Sequence, residues 1–278
     1  MPAAPSKHTA RATLAAIYYG QDVQFESVDA VWTRIDRLAR SEPGGVVATD
    51  ADGTLWSGDL GEDLFHAFLD HGRVEPLALE AFRRDAREHA LSDAGSGPEI
   101  ARRIYDAYLA GRFPEERMCE LMTWCFAGWP DDAVRRFARG VVAGTDLAGR
   151  FHPEVLRILD RVRGAGIATL LVSASPFVVI AEAGAHAGFG EDDVVAARPR
   201  YRDDTMLPEV QRPIPYAMGK VVRLKERLMP GASLYAAFGD NAFDIAMLAS
   251  ARVSVAVRPK ERLRRRAAEV PGIVELTL

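Results

Sequence analysis

The sequence has 278 residues, of which 48% are hydrophobic and 27% charged, so it can bury the core of one large domain or of two moderate ones. A formal net charge of -4 and a pI near 5.9 argue against a nucleic-acid-binding protein that relies on phosphate contacts. No apolar stretch approaches a membrane span, and Cys119 and Cys125 are not spaced as a disulfide or metal pair, so we expect a cytoplasmic protein with no membrane partner.

The first predicted elements carry no chemically distinctive residues. Residues up to about Gln24 show no clear periodicity and are expected to form a loosely held extension. An amphipathic helix is predicted over 27–40, with Ser27 as its N-cap and a Pro-Gly-Gly turn after its end. Residues 1–44 are therefore interpreted as an extension and a helix that precede the main domain.

A short buried strand is predicted next, and it ends in two aspartates. Residues 46–49 are apolar or β-branched, and Asp50 and Asp52 follow, with Gly53 and Thr54 directly after them. The two aspartates are separated by the period of a strand, so both can face the crevice beyond the carboxyl edge of a parallel sheet. Taken alone, the pattern Asp-x-Asp-Gly-Thr is equally compatible with a polar turn.

The region after this strand has almost no strand signal. Helices with Gly or Pro near most of their boundaries are predicted over 60–69, 76–90, 98–110, 114–127 and 131–142. Residues 60–146 are therefore predicted to form an all-helical domain inserted after the motif of the first strand.

From residue 152 onward, helices alternate with buried strands, as in parallel βαβ units. Two extended arms, 194–200 and 205–211, are predicted to be joined around Asp203 and Asp204. The other predicted elements are helix 152–163, strand 167–172, a helix from about 177, helix 217–228, strand 233–238, a helix with Asp244 on its first turn, and strands 253–257 and 273–276. The predicted fold class is α/β, with a Rossmann-like, doubly wound parallel-sheet core formed by residues 45–59 and 147–278.

Polar residues are predicted to cluster at the carboxyl ends of the strands. Such clustering is expected of a functional site and not of a random surface. The cluster consists of Asp50 and Asp52 after the first strand, Ser173 after strand 167–172, Asp240 and Asp244 after strand 233–238, and Lys220 in the first turn of the preceding helix.

In this order and topology, the residues resemble the motifs of the haloacid dehalogenase superfamily, and within it the branch of the phosphoserine phosphatases. The first motif, Asp-x-Asp-Gly-Thr, is matched by 50–54, and the second, an apolar strand ending in Ser or Thr, by 170–173. The third, a lysine, is matched by Lys220, and the fourth, Gly-Asp-x-x-x-Asp, by 239–244. The resemblance extends over about 45–257 and rests on all four motifs occurring in order.

The resemblance implies roles for the four aspartates. Asp50 is implied to be the nucleophile that forms an aspartyl-phosphate, and Asp52 the group that protonates the leaving alcohol and then activates water. The carboxylates of Asp50 and Asp240 and the backbone carbonyl of Asp52 are implied to bind Mg²⁺, supported by Asp244 directly or through water.

Electrostatics gives an independent reason for a cation. Two unit charges about 4 Å apart repel by about 4 kcal/mol at an effective dielectric constant near 20. A phosphate monoester is itself a dianion, so a carboxylate can attack it only where a cation and hydrogen-bond donors offset the repulsion. Mg²⁺ suits a site of oxygen ligands that also holds water and phosphate.

The resemblance also implies which groups bind the phosphoryl oxygens. Thr54, Ser173 and the N–H of Ala174 are implied to donate hydrogen bonds, and Lys220 to neutralise the nucleophile and the transition state. The alternative is a solvated helix face for Lys220 and an ordinary polar loop for Ser173.

The helical insert stands where this family has a mobile cap that closes over the site. Phosphoserine phosphatases carry an acidic residue shortly after the first motif that meets the amino group of the substrate. Asp59 stands at that offset, with Glu62 as a neighbouring candidate. The alternative is that both acidic residues cap the helix that begins near residue 60.

The sequence departs from the phosphoserine phosphatases at two points that bear on substrate choice. Ala174 and Ser175 replace the usual Gly-Gly, and Phe243 replaces an Asn. The insert also contains aromatic residues that can either line a pocket for a quaternary ammonium group or pack the core of the insert: Tyr105, Tyr108, Trp124 and Trp129.

The sequence therefore predicts a phosphoric monoester hydrolase that uses Mg²⁺ and acts on a small phosphorylated metabolite such as phosphoserine. Phosphocholine and phosphoethanolamine are the alternative substrates. A dehalogenase is disfavoured because its chemistry does not need Asp52, and a catalytically silent phosphate-binding protein is disfavoured by the intact set of catalytic residues.

Overall fold

The structure is a computed structural model that describes residues 23–277. The predicted N-terminal extension lies outside the described residues except for its last two positions. Among residues 23–277, no helix is long and apolar enough to cross a membrane.

The main sheet has seven strands, and its parallel pairing confirms the predicted Rossmann-like α/β core. In chain order, the strands are β1 (Gln24–Glu26), β2 (Val46–Asp50), β3 (Ala168–Pro176), β4 (Val194–Ala197), β7 (Leu234–Gly239), β8 (Val253–Ala256) and β9 (Val274–Leu276). Their order in the sheet is β1-β9-β8-β7-β2-β3-β4. The neighbouring strands β1-β9, β9-β8, β8-β7, β7-β2 and β2-β3 all pair in parallel.

The strand order reverses at β2, which has β3 on one side and β7 on the other. In open α/β sheets, ligands bind in the crevice at such a switch point, outside the carboxyl ends of the strands. The register pairs Thr49 with Phe238, so Asp50 and Asp240 follow within two residues of the last pair. All residues of β2 and β7 are buried, so packing on both faces holds the carboxyl ends of these strands in place.

The helices predicted from the sequence lie within a few residues of their predicted bounds, and the short helix Leu147–Arg150 was not predicted. The N-cap of the first was predicted correctly, because Ser27 Oγ accepts a hydrogen bond from the Ala30 N–H at 3.2 Å. In the described chain, the helices are α1 (Val28–Ser41), α2 (Leu60–His71), α3 (Pro76–Glu88), α4 (Gly97–Leu109), α5 (Glu115–Trp124), α6 (Asp131–Ala143), α7 (Leu147–Arg150), α8 (Pro153–Gly164), α9 (Phe177–Ala185), α10 (Met218–Lys225), α11 (Ile245–Ala249) and α12 (Glu261–Arg265).

The two predicted arms differ in part from the structure. The first arm divides into β4, which joins the main sheet, and β5 (Pro199–Arg202), which pairs antiparallel with β6 (Thr205–Val210). The turn was predicted correctly, since Asp203 and Asp204 connect β5 to β6 with φ angles of 48° and 63°. Two consecutive positive φ angles are typical of a two-residue hairpin turn.

Two further details were wrong in the sequence interpretation. Strand β1 was not predicted, because three residues are too short to show a period, and it forms only by pairing with β9. Asp244 was placed on the first turn of an α-helix, but it ends a 3₁₀ turn, Ala242–Asp244, that leads directly into α11.

The chain divides into two compact units. Unit 1 contains the described residues up to Gly58, Arg150–Val172 and the described residues from Tyr216 onward. Unit 2 contains Asp59–Gly149 and Ser173–Pro215, so it includes the hairpin in addition to the predicted helical insert. The boundaries of a functional cap at 60–146 stay a prediction.

Candidate functional site

The turn after β2 fixes the side chains of the first motif. Gly53 has a φ of +85°, and its N–H donates to the Trp56 carbonyl at 2.7 Å, which reverses the chain. Thr54 Oγ1 then donates to Asp50 Oδ2 at 3.0 Å. The half-buried side chain of Asp52 accepts a hydrogen bond from Trp56 Nε1 at 2.8 Å. Each aspartate of the motif is therefore oriented by a different partner.

Lys220 connects Asp50 to Asp244. Its ammonium donates to Oδ1 of each carboxylate at 2.5 Å, and the lysine is fully buried. The other oxygen of Asp244 accepts from the backbone N–H groups of Asp240 at 3.1 Å and Asn241 at 2.9 Å. Asp244 therefore closes the turn after β7 and orients Lys220 at the same time.

Asp50, Asp240 and Asp244 fit a divalent cation. One carboxylate oxygen from each residue lies within 4.8 Å of the others. The three residues are exposed by 3% or less, so water contributes little to stabilising their charges. A donor set made only of oxygen atoms is the kind that Mg²⁺ prefers.

The charges of this cluster are not balanced by Lys220 alone. Burial and then the charge of Asp244 raise the pKa of Asp50 well above its ordinary value. Burial and then Asp244 raise the pKa of Asp240 to about 6, although Lys260 acts in the opposite direction. Burial lowers the pKa of Lys220, but Asp244 and Asp50 outweigh it and raise the pKa overall. The lysine thus stays charged, and the site can accept further positive charge.

Two residues beside this cluster were missed in the sequence. Lys260 Nζ lies 2.9 Å from Asp240 Oδ2. The buried ring of His152 contacts the Thr54 carbonyl through Nδ1 at 2.8 Å, and the backbone N–H of His152 donates to the Leu55 carbonyl at 2.9 Å. Neither residue belongs to a motif, so only their positions beside predicted elements, just before α8 and just after β8, could have suggested them.

Three predicted site residues belong to unit 2. Ser173 Oγ accepts a hydrogen bond from the Ser175 N–H at 3.1 Å, and Ala174 lies between them in β3. Asp59 is the N-cap of α2, where its Oδ1 accepts from the Glu62 N–H at 2.8 Å. The helix-capping alternative for Asp59 is therefore observed. The roles of these residues in binding phosphate or an amine stay predictions.

Core packing accounts for most aromatic residues of the predicted insert. Trp124 is fully buried, and its ring lies 5.2 Å from Phe82. Trp129 and Tyr105 are 6% and 7% exposed. Tyr108 is half-buried and lies 5.8 Å from Tyr105, so of the four aromatic residues it is the most accessible.

Residues 47–249 match the family model of the haloacid dehalogenase-like hydrolases. No curated protein matches the chain in a sequence comparison. The match covers the strand, helix and turn that carry Asp50, Lys220 and Asp244, so the family and the geometry agree on the same part of the chain.

Several solved structures share the fold. A protein with unknown function from Bordetella pertussis Tohama I has a TM-score of 0.62 at 20% identity, covering 84% of this chain and 97% of that chain. A substrate-bound phosphoserine phosphatase has a TM-score of 0.50 at 15% identity, covering 84% of this chain and 93% of the phosphatase chain. A phosphoserine phosphohydrolase-like protein from Francisella tularensis subsp. tularensis SCHU S4 has a TM-score of 0.51 at 10% identity, covering 83% of this chain and 94% of that chain. At these identities the likeness concerns the fold alone.

The substitution Gly53→Ala is expected to destabilise the protein and to disturb Asp240. A positive φ costs a residue with a Cβ about 1–2 kcal/mol. In addition, a Cβ at this position would lie 2.2 Å from Asp240 Oδ2. Gly44→Ala is the matched control, because its φ is +93° but no atom lies within 4 Å of the added Cβ. Denaturant unfolding is expected to show the larger loss for Gly53→Ala, and equal losses would contradict the close contact.

The metal-free protein is expected to lose stability as the pH rises from about 5 to about 7.5. The pKa of Asp240 is raised from 3.8 to about 6, so its contribution to folding is present at low pH and lost as the pH passes the folded value. The side chain of Asp240→Asn does not titrate. Between pH 5 and 7.5 this variant is therefore expected to lose less stability than the wild type, by on the order of 1 kcal/mol. Equilibrium unfolding in EDTA measures the difference, with the exposed Asp29→Asn as control. The same pH dependence in Asp240→Asn and wild type would refute the raised pKa.

Proposed function

The chain belongs to the haloacid dehalogenase-like hydrolase family, and on that premise we propose that it is a Mg²⁺-dependent phosphatase of a small phosphomonoester. The main support is the buried arrangement of Asp50, Lys220 and Asp244 at the switch point of the sheet. Lys220 and Thr54 each hold one oxygen of Asp50, so its carboxylate is oriented before a substrate binds.

In the proposed reaction, Asp50 is the nucleophile. One of its carboxylate oxygens attacks phosphorus, the bond between phosphorus and the ester oxygen breaks, and an aspartyl-phosphate forms. Lys220 offsets the negative charge of the transition state. Asp50, Asp240 and the Asp52 carbonyl, with support from Asp244, would hold Mg²⁺, which would supply positive charge to offset the repulsion between carboxylate and phosphate.

Asp52 is the proposed acid and base. Its carboxyl group gives a proton to the leaving alkoxide, and the carboxylate then takes a proton from the water that attacks phosphorus. This second step releases inorganic phosphate and restores Asp50. The hydrogen bond from Trp56 Nε1 orients the carboxyl group for both transfers. A dehalogenase does not need this acid, so the phosphatase explains more of the site.

Ser173 and the N–H of Ala174 are proposed to bind phosphoryl oxygens together with Thr54. The register of the sheet supports this assignment, because Val172 pairs with Asp50 and Ser173 follows it directly in the chain. The Ser173 hydroxyl accepts from the Ser175 N–H, which leaves its own proton to donate.

The proposed substrate carries a cationic group. Asp59 and Glu62 lie at the start of α2. Burial, then the charge of Glu62 and a hydrogen bond to it, and then the charge of Asp59 raise the pKa of Tyr105 to about 12, so the tyrosine lies near both acidic side chains. Two carboxylates beside an aromatic ring attract an ammonium group and repel a phosphate. This favours phosphoserine, phosphoethanolamine or phosphocholine over a sugar phosphate.

Release of inorganic phosphate tests the proposed activity. The wild-type protein is expected to hydrolyse p-nitrophenyl phosphate with Mg²⁺, to stop after exhaustive treatment with EDTA, and to recover when Mg²⁺ is added. Asp50→Asn is expected to lower kcat by about 10⁴-fold or more, because an amide cannot form the acyl-phosphate. Asp29→Asn, on the surface of α1, is expected to match wild type. Activity that survives chelation would exclude the metal dependence, and an active Asp50→Asn would exclude the nucleophile.

The ratio of kcat/KM for phosphoethanolamine to that for a sugar phosphate tests substrate choice. Asp59→Asn is expected to lower this ratio by an amount equivalent to about 1.5–3 kcal/mol, because a charged contact to the ammonium is lost. Asparagine is also a favourable N-cap, so α2 is expected to remain intact. Asp63→Asn, in the same helical turn, is the matched control. An unchanged ratio in Asp59→Asn would show that Asp59 serves only as the cap.

A further inference from the structure

A second lysine contacts the carboxylate cluster. Lys260 Nζ lies 2.9 Å from Oδ2 of Asp240, whose side chain is 1% exposed, while the side chain of Lys260 is 55% exposed. The backbone N–H of Lys260 also donates to the Asp240 carbonyl at 2.7 Å. This backbone bond keeps Lys260 beside Asp240 even when its side chain turns away into solvent.

The type of residue at this position is informative. The sequence contains four lysines among 35 basic residues, and two of the four, Lys220 and Lys260, contact the cluster. A lysine ammonium is a point charge on a flexible stem, whereas an arginine holds a carboxylate with two parallel hydrogen bonds. Lysine is therefore the residue that can release a carboxylate oxygen more readily.

We propose that Lys260 is a counter-cation that occupies the Asp240 oxygen when no metal is bound and competes with Mg²⁺ for it. This inference rests on the proposed metal dependence. In the metal-free protein, Lys220 pairs with Asp50 and Asp244, and Lys260 pairs with Asp240, so three buried carboxylates share two ammonium groups. Lys260 thus stabilises the metal-free site and weakens its affinity for Mg²⁺.

Two electrostatic effects explain why Lys260 weakens the binding of Mg²⁺. Binding of Mg²⁺ to Asp240 requires the contact with Lys260 to break, and the bound cation then repels the ammonium that remains nearby. Removing the charge of Lys260 relieves both effects. The metal-free protein, in contrast, loses stability, because its buried carboxylates keep less positive charge. An ion pair with no connection to the metal would change only the stability of the protein.

Titration calorimetry of the full chain with MgCl₂ tests the proposal. Lys260→Gln and Lys260→Met are each expected to lower the dissociation constant about three- to tenfold. The difference is expected to shrink at high salt, because the ammonium is more than half exposed. Lys260→Arg keeps the charge and is expected to stay within about twofold of wild type. Lys225→Gln is the matched control, since it removes an exposed lysine at the end of α10.

Thermal unfolding in EDTA is the second measurement. In EDTA, both neutral variants of Lys260 are expected to have a lower melting temperature than Lys225→Gln. In saturating Mg²⁺, their melting temperatures are expected to be higher than that of Lys225→Gln. Unchanged or weaker Mg²⁺ binding in the neutral variants, with normal binding in wild type, overturns the role of Lys260 and leaves the phosphatase function intact. A wild-type protein that binds no Mg²⁺ overturns both.

Discussion

The buried ammonium of Lys220 is the interaction on which the site depends. A charge with no exposure to water is tolerated only when it is paired and hydrogen-bonded, and Lys220 has the carboxylates of Asp50 and Asp244 at 2.5 Å. The second oxygen of Asp244 closes the turn after β7. The end of β2, the start of α10 and the turn after β7 are therefore held as one hydrogen-bonded unit.

The sheet explains why these elements meet. Reversal of the strand order at β2 puts the carboxyl ends of β2 and β7 side by side, and parallel pairing fixes the register of their last residues. Both strands are buried along their full length, and a shift of one strand by one residue would turn its side chains to the opposite face of the sheet. The same constraint that stabilises the sheet therefore aligns Asp50 with Asp240.

Most of the fold and the centre of the site could be predicted because their signals are local. The pattern of residues 46–54 indicates a buried strand that ends in carboxylates, and the helices of 60–143 show a clear period with Gly or Pro at their ends. The division of 194–200 between two sheets was not predicted, because it depends on which distant strands β4 and β5 pair with. The same is true of β1, which forms against β9.

Lys260 and His152 could not be predicted for the same physical reason. Each acts through a contact with a residue far away in the chain: Lys260 with Asp240, and the His152 ring with the Thr54 carbonyl. A lysine after a strand and a histidine before a helix are common at surfaces. Only the folded structure distinguishes these two from others of their type.

Detection of the covalent intermediate tests the proposed chemistry most directly. The protein would be quenched in acid during turnover of a small phosphomonoester with Mg²⁺, digested, and analysed by mass spectrometry with fragmentation of the peptide that contains residues 46–54. One phosphoryl group on Asp50, and none on Asp52, is the expected result. A phosphoryl group on another residue, or continued turnover with no phosphorylated form of the enzyme at any time point, would contradict the assignment of Asp50 as the nucleophile.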